Sequence, residues 1–256
     1  MTGNRIVVMA RHGESEWSKN NVFCGWYDSL LSDRGMVEAM ECAELLRQSN
    51  FKFDRAYTSL LTRAHQTLKI ITNQIDQPNL PVEESWRLNE RHYGALTGFN
   101  KAELVNKYGE KQVHIWRRSF DVLPPEMESS HKYYKAIWRN PKIVSAAYAS
   151  NEKFPNTESL KETMERVIPY WKDYIVPSIQ SGQRVLIVAH GTVLRSLIKY
   201  LDGVSDYDIC SINIPSGIPF VYKFGDDMKV VSSRKFLGDR RRIEEGIARA
   251  ATIGTH

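Results

Sequence analysis

Two apolar runs in this 256-residue chain end in the same way. RIVVMARHG delivers Arg11 and His12 to a glycine, Gly13, and VLIVAHG delivers His190 to Gly191. Histidine titrates near neutral pH, so a neutral imidazole is a competent nucleophile that need not shed a firmly held proton. Phosphorus is the electrophile that suits it. Phosphoryl transfer asks for in-line placement and fixed positive charge around three equatorial oxygens, with little other covalent help. Arginine supplies that charge at any working pH, with a planar fork of donors matched to phosphate or carboxylate, so Arg11 beside His12 makes a coherent pair. Gly13 and Gly191 would let backbone N–H groups approach the oxygens closely. One isolated histidine at such a place is more often a capped core residue; two strand–His–Gly endings in one chain favour a site.

The elements that must position these groups follow a regular order. Residues 5–10 read as a strand buried on both faces. Ser32 is placed to cap a helix in which Met36, Ala39, Met40, Ala43 and Leu46 recur at helical spacing. A strand over 53–58 comes next, then a helix whose apolar face is Leu61, Ala64, Leu68, Ile71 and Ile75. A short strand over 81–86 leads into RLNERHYGALTGFNKAE, a charged stretch with the composition of a functional loop. Residues 101–156 read as irregular, WRRSFDVLPPEMESS being too rich in proline and charge for a core element. Thr157 is expected to cap a long helix bearing Leu160, Met164, Val167, Ile168, Trp171 and Ile175, kinked or divided at Pro169. A buried strand at 184–191 is followed by the helical stretch TVLRSLIKYL. Strands at 218–223 and 228–235 then form a hairpin across GDD, and RRRIEEGIARAA forms a polar C-terminal helix. The alternation predicts an α/β fold, a mostly parallel sheet flanked by helices on both faces, with an irregular insertion over the active site. In such folds ligands gather beyond the carboxyl ends of the strands, where Arg11, His12 and His190 all fall.

Composition narrows the class. A hydrophobic content of 42% over this length supports one domain spanning 1–256, with a tail at about 240–256. Thirty-five Lys+Arg against 30 Asp+Glu give +5, an excess that suits nucleic acid, an anionic surface or a small acidic substrate and is too modest to choose among them. DRRR is one short cluster with no recognised nucleic-acid-binding fold beside it, so no nucleic-acid partner is expected. Cys24, Cys42 and Cys210 lie far apart and form no CxxC pair, which indicates neither a disulfide framework nor a metal site and fits a reducing compartment. The first apolar run is interrupted by Arg11, and no stretch approaches the ~20 apolar residues needed to span a bilayer. The expectation is a cytoplasmic protein with no membrane partner.

Taken together, RHGESEW, FCGWYD, TSLLTRAHQT, WRLNERHYGALTGFNKAE, WRRSFD and VLIVAHG resemble the cofactor-dependent phosphoglycerate mutases of the histidine phosphatase superfamily, over about residues 5–240. RHG alone marks the superfamily; its combination with LNERHYG and WRR is far more specific. The resemblance implies that His12 becomes phosphorylated, that His190 supports the transferring group, and that Arg11 and Arg63 neutralise its oxygens. Glu90 would be the acid–base group serving the substrate hydroxyl. Tyr93, Lys101, Arg117 and Arg118 would hold the carboxylate and phosphate of a phosphoglycerate, and two adjacent arginines plus a lysine suit a small ligand of about three negative charges. Ser15, Cys24 and Gly25 would line the floor, Cys24 as a packing contact since nothing near it suggests a depressed thiol pKa.

The implied activity is interconversion of 3-phosphoglycerate and 2-phosphoglycerate through a phosphohistidine, primed by 2,3-bisphosphoglycerate, without a metal, in a homodimer. Synthase or phosphatase turnover of bisphosphoglycerate differs only in which acceptor wins, and Ser15 and Gly25 resemble the mutase branch. Two positions depart from the family pattern: Ser18 and Thr192 stand where asparagine is usual, and both lose a side-chain amide. Backbone contacts at 192 would survive that change. The segment DRRRIEEGIARAATIGTH also differs from the lysine-rich tail of relatives, so no gating role is expected of 240–256. The alternative is a weakly catalytic, protein-binding relative; the joint retention of Arg11, His12, Arg63, Glu90, Arg117, Arg118 and His190 argues against it, because the cationic groups among them repel one another without an anionic ligand.

Overall fold

The first apolar run forms strand β1 (Arg5–Arg11) in the structure, a computed structural model that describes residues 5–252. A single turn, α1 (Glu16–Lys19), is capped by Ser15, and α2 (Asp33–Gln48) is capped by Ser32, whose Oγ accepts from the Gly35 N–H. The chain continues through β2 (Arg55–Thr58), α3 (Thr62–Gln74) and β3 (Val82–Glu84) to a 3-10 turn at Trp86–Leu88. Next come α4 (Lys101–Tyr108), α5 (Glu110–Arg118), α6 (Tyr134–Trp138) and α7 (Pro141–Ser150). Then α8 (Leu160–Tyr170) widens into a π-turn at Trp171–Ile175 and runs on as α9 (Val176–Gln180). The closing elements are β4 (Val185–Ala189), α10 (Gly191–Asp202), β5 (Phe220–Phe224), β6 (Val230–Phe236) and α11 (Arg240–Thr252). Residues 253–256, the end of the expected tail, lie outside the described residues.

The six strands form one sheet in the order β3-β2-β4-β1-β5-β6. β3, β2, β4 and β1 run parallel, and the β5–β6 hairpin adds on antiparallel to β1. Successive side chains of a strand point to opposite faces, and both faces are covered. Val8, Ala10, Leu186 and Val188 pack under α2 and α3, while Val7, Met9, Val185 and Ile187 pack under α8 and α10. This is the α/β sheet flanked by helices that the sequence alternation predicts. Pairing of Arg11 with Ala189 brings the ends of β1 and β4 side by side, and the His12 N–H donates to the Ala189 carbonyl at 2.9 Å. The register itself therefore places His12 and His190 together. Among the described residues no helix is long and apolar enough to cross a membrane.

Several local expectations are corrected. Residues 101–156 are not irregular throughout: four helices occupy much of the span. Leu104 and Val113 bury with Phe23 and Leu96 in a small satellite core, and helices this short, with so few apolar positions between charges, leave no readable 3.6-residue period. Met36 and Met40 are exposed, and the inward stripe of α2 is Gly35, Ala39, Cys42, Ala43 and Leu46. The cause is a backbone crossing. A Cβ on Gly13 would lie 2.1 Å from the Gly35 carbonyl oxygen, and one on Gly35 would lie 2.0 Å from that of Glu14, so close contact fixes the rotation of α2. Ser159, not Thr157, caps α8, in a capping box with Glu162; Thr157 Oγ1 donates instead to the Pro124 carbonyl. The division expected at Pro169 is present: α8 ends at Tyr170, one residue beyond it, and gives way to the π-turn ahead of Pro177, which has no N–H to donate.

Candidate active site

His12 leaves the end of β1 almost fully buried. Its Nδ1 lies 2.6 Å from the Gly13 carbonyl; this contact requires the proton on Nδ1 and leaves the Nε2 lone pair for chemistry. Burial lowers the His12 pKa well below the ordinary imidazole value, with Arg63 and then Arg11 adding to the effect. His12 is therefore neutral near neutral pH, the form a nucleophile needs. His190 lies edge-on to it, ring centroids 4.8 Å apart, fully buried, with Nε2 2.7 Å from Ser59 Oγ. Its pKa is likewise pushed well down by burial, then by Arg63 and His12. His190 Nδ1 has no hydrogen-bond partner, and the residue stands behind His12, away from the walls of the cavity that His12 borders.

That cavity, about 110 Å³, opens at the carboxyl edge of the sheet. Arg11 and Arg63 form its deep end. Arg63 is buried because both its terminal nitrogens are satisfied by backbone, Nη1 donating to the Tyr27 carbonyl and Nη2 to that of Gly25. Gly25 adopts φ +53°, a left-handed conformation that few side-chain-bearing residues take up. Arg11 donates through Nη1 to the Ile214 carbonyl, while its buried Nε has no partner. Glu90 reaches the cavity from the loop after the 3-10 turn. Its Oε1 accepts from its neighbour Arg91's N–H at 2.8 Å and from the Thr192 N–H at 3.3 Å, the first turn of α10. The contact at 192 is made through the backbone, so threonine serves there as asparagine would.

The far end is built by α4 and α5. Lys101, Arg117 and Arg118 border the cavity with Tyr93. Burial, and then the nearby Arg117 and Arg11, lower the Lys101 ammonium to about 7. Burial and the neighbouring Arg195 and Arg117 bring Arg118 down to about 9. Each of these shifts has the same meaning: the cations are packed together with too little negative charge to balance them, and an anion would relieve them.

Of the residues singled out in the sequence, Arg11, His12, Ser18, Cys24, Gly25, Arg63, Glu90, Tyr93, Lys101, Arg117, Arg118, Gly191 and Thr192 all border this one cavity. Gly13, Ser15 and His190 do not. The Gly13 N–H donates to Thr67 Oγ1 and so is not aimed at a ligand; the glycine is needed for the contact with Gly35. Ser15 is fully buried as the cap of α1, its Oγ 3.0 Å from Ser18 Oγ, and it supports the floor from below. Burial raises the Cys24 thiol pKa, and its Sγ donates to the Tyr27 carbonyl, in keeping with a packing contact.

Seven bordering residues escape the sequence reading, among them Arg195, Asn213 and Ala250. Arg195 is buried one turn into α10 and borders the cavity; its position five residues beyond His190 was the available signal. Asn213 accepts from Arg118 at 2.7 Å, and only its place in INIPSG hints at a role. Ala250 of α11 also borders the cavity, so the C-terminal helix contributes to its lining. Gly246 docks that helix, a Cβ there falling 2.7 Å from Ile218 Cδ1.

Residues 7–139 and 134–233 match the family described as the histidine phosphatase superfamily (branch 1). The fold is similar to that of a mycobacterial glucosyl-3-phosphoglycerate phosphatase in complex with VO3, at 19% identity and TM-score 0.66 over 91% of this chain and 98% of that one. It is similar to an α-ribazole phosphatase from Shigella flexneri, at 19% identity and TM-score 0.61 over 92% and 96% of the two chains. It is also similar to a phosphoglycerate mutase from Bacillus anthracis, at 20% identity and TM-score 0.60 over 96% and 97%.

Proposed function

The chain belongs to the histidine phosphatase superfamily, branch 1, and from that premise we propose that it is a phosphoglycerate mutase, interconverting 3-phosphoglycerate and 2-phosphoglycerate through phosphorylated His12. The observation that carries this reading is the pair of cationic poles in one small cavity. Arg11 and Arg63 stand beside the His12 nucleophile, and Lys101, Arg117 and Arg118 border the same cavity from α4 and α5. A ligand with a phosphate at one end and a second anionic group a few bonds away satisfies both poles at once, which fits a phosphoglycerate and its bisphosphorylated primer, 2,3-bisphosphoglycerate.

The chemistry follows from the placement. Starting from phosphorylated His12, the free hydroxyl of 3-phosphoglycerate loses its proton to Glu90 and attacks phosphorus, and the N–P electron pair returns to His12, giving 2,3-bisphosphoglycerate. In the return half, the His12 Nε2 lone pair attacks the phosphorus at the 3-position, that P–O bond breaks, Glu90 gives its proton to the departing oxygen, and 2-phosphoglycerate leaves His12 phosphorylated again. Arg11 and Arg63 hold the equatorial oxygens throughout, and neutral His190, at the edge of the His12 ring, is placed to stabilise the charge that builds there. The same reading makes the protein a cytoplasmic homodimer, so light scattering should return twice the chain mass.

Hydrolysis is the second reading, and one observation favours it. His12 and Ser18 both border this cavity and a second one walled in part by Glu14, Arg34, Glu38 and Arg249, which gives water a second side from which to approach His12. An assay coupled to enolase separates the two. Primer-dependent formation of the enol product from 3-phosphoglycerate is the expected result; release of inorganic phosphate with no enol product would make the protein a phosphatase. Ser18→Asn should lower phosphate release relative to isomerisation.

A further inference from the structure

Arg91 stands outside the cavity, between its two working parts. We propose that Arg91 is a positioning residue that ties the Glu90 loop to the arginine-bearing end of α5, so that the acid–base group and the far cationic pole move as one unit. The proposal deepens the phosphoglycerate reading and rests on it for the identity of the ligand.

The residue is 1% exposed and acts from both of its ends. Its backbone N–H donates to Glu90 Oε1 at 2.8 Å, orienting the carboxylate. Its Nη2 donates to the carbonyls of Trp116 and Arg117, both at 2.7 Å. Those carbonyls belong to the last turn of α5, where no further turn follows to satisfy them, and a guanidinium there complements the negative end of the helix. The same guanidinium lies 4.6 Å from the ring centre of Tyr93, over its face, and Tyr93 borders the cavity. One residue thus touches the group that moves the proton through its backbone N–H, and the ring beside it and the last turn of α5 through its side chain.

The rest of the loop gives Arg91 something firm to act from. Glu158 and Arg166 form a buried ion pair behind it, 2.6 Å apart. Arg166 donates to the carbonyls of Arg87 and Glu90, and Glu158 accepts the His92 N–H. The loop is fixed to α8 by that pair, whereas Arg91 is what joins it to α5. A buried like-charged neighbour also opposes Arg117: after burial itself, Arg91 helps to lower the Arg117 pKa. Placing a third arginine here would be wasteful for simple packing; its geometry suits a brace.

Arg91→Lys tests this, because an ammonium keeps the charge but cannot present the same rigid fork to two carbonyls at once. KM for 3-phosphoglycerate should rise about tenfold, the equivalent of one charge-assisted hydrogen bond. For p-nitrophenyl phosphate, which has no carboxylate for the far pole, the rise should be much smaller. Equal loss with both substrates, or none with either, overturns the proposal. Hydrogen exchange supplies a test that needs no turnover, and its wild-type arm needs no variant. Saturating 3-phosphoglycerate, and separately saturating inorganic phosphate, should slow exchange at 90–93 and at 116–119 together in the wild-type protein. The joint response should be lost in Arg91→Lys. Protection of only one segment in the wild type, or unchanged joint protection in the variant, contradicts the coupling. If 3-phosphoglycerate neither turns over nor protects while phosphate still gives the joint response, the brace stands and the substrate assignment falls.

Discussion

The deep end of the cavity and its far end carry the same charge but are built differently. At the deep end, His12 and His190 leave adjacent parallel strands whose pairing fixes their spacing, and Arg63 is held by two carbonyls. At the far end, Lys101, Arg117 and Arg118 sit on short helices outside the sheet, fastened by single contacts such as Asn213 to Arg118 and by the Arg91 brace. A sheet edge defines the reacting geometry; helices added beside it define what is allowed to react. Change at the first should therefore damage every substrate, and change at the second should damage only those that carry a second anionic group.

The largest expected effect breaks the deep end. His12→Asn should lower turnover of phosphoglycerates and of p-nitrophenyl phosphate alike by about 10⁴-fold or more, as loss of a nucleophile does; steady-state kinetics with both substrates checks it. Glu90→Gln comes next. It should cost about 10²–10⁴-fold with a phosphoglycerate, whose departing hydroxyl needs a proton, and much less in the labelling of His12 by p-nitrophenyl phosphate, whose phenolate leaves unaided. Equal losses in the two assays would remove Glu90 from the proton transfer.

Smaller effects probe the far end. Asn213→Ala removes the 2.7 Å contact with Arg118 and should raise KM for 3-phosphoglycerate about fivefold, in line with a net hydrogen bond of ~1 kcal/mol, while that for p-nitrophenyl phosphate stays nearly fixed. The smallest effect is a proton count. Free Lys101 titrates at about 7, and a bound anion stabilises its ammonium and raises that value. The complex then holds more protons than the free protein at pH above 7, so binding takes up protons and weakens as pH rises. Calorimetry in buffers of different ionisation heat checks this, and proton release on binding would refute it.

The same contrast governs what the sequence reveals. The strands at β1 and β4 are apolar runs whose endings are visible as residues, because a strand buried on both faces needs nearly every position apolar. The helix that follows β2 shows its apolar stripe for a similar reason, and all five residues expected on it, Leu61, Ala64, Leu68, Ile71 and Ile75, are buried. What stayed hidden depends on contacts between distant segments. The rotation of α2, which exposes Met36 and Met40, is set by backbone touching backbone at Gly13 and Gly35. Gly13 reads as a phosphate-loop glycine and turns out to be a crossing point. The helices of 101–156 bury too few side chains each to impose a period, and the parts played by Arg91 and Arg195 depend on carbonyls 25 and 14 residues away along the chain.

One measurement goes to the centre. Mixing the protein with 2,3-bisphosphoglycerate, or with p-nitrophenyl phosphate as an independent donor, and mapping the product by mass spectrometry should locate a single phosphoryl group on His12, labile in acid and stable in alkali. A label on another residue, or none on either donor under conditions of turnover, would mean that phosphorus does not pass through this imidazole.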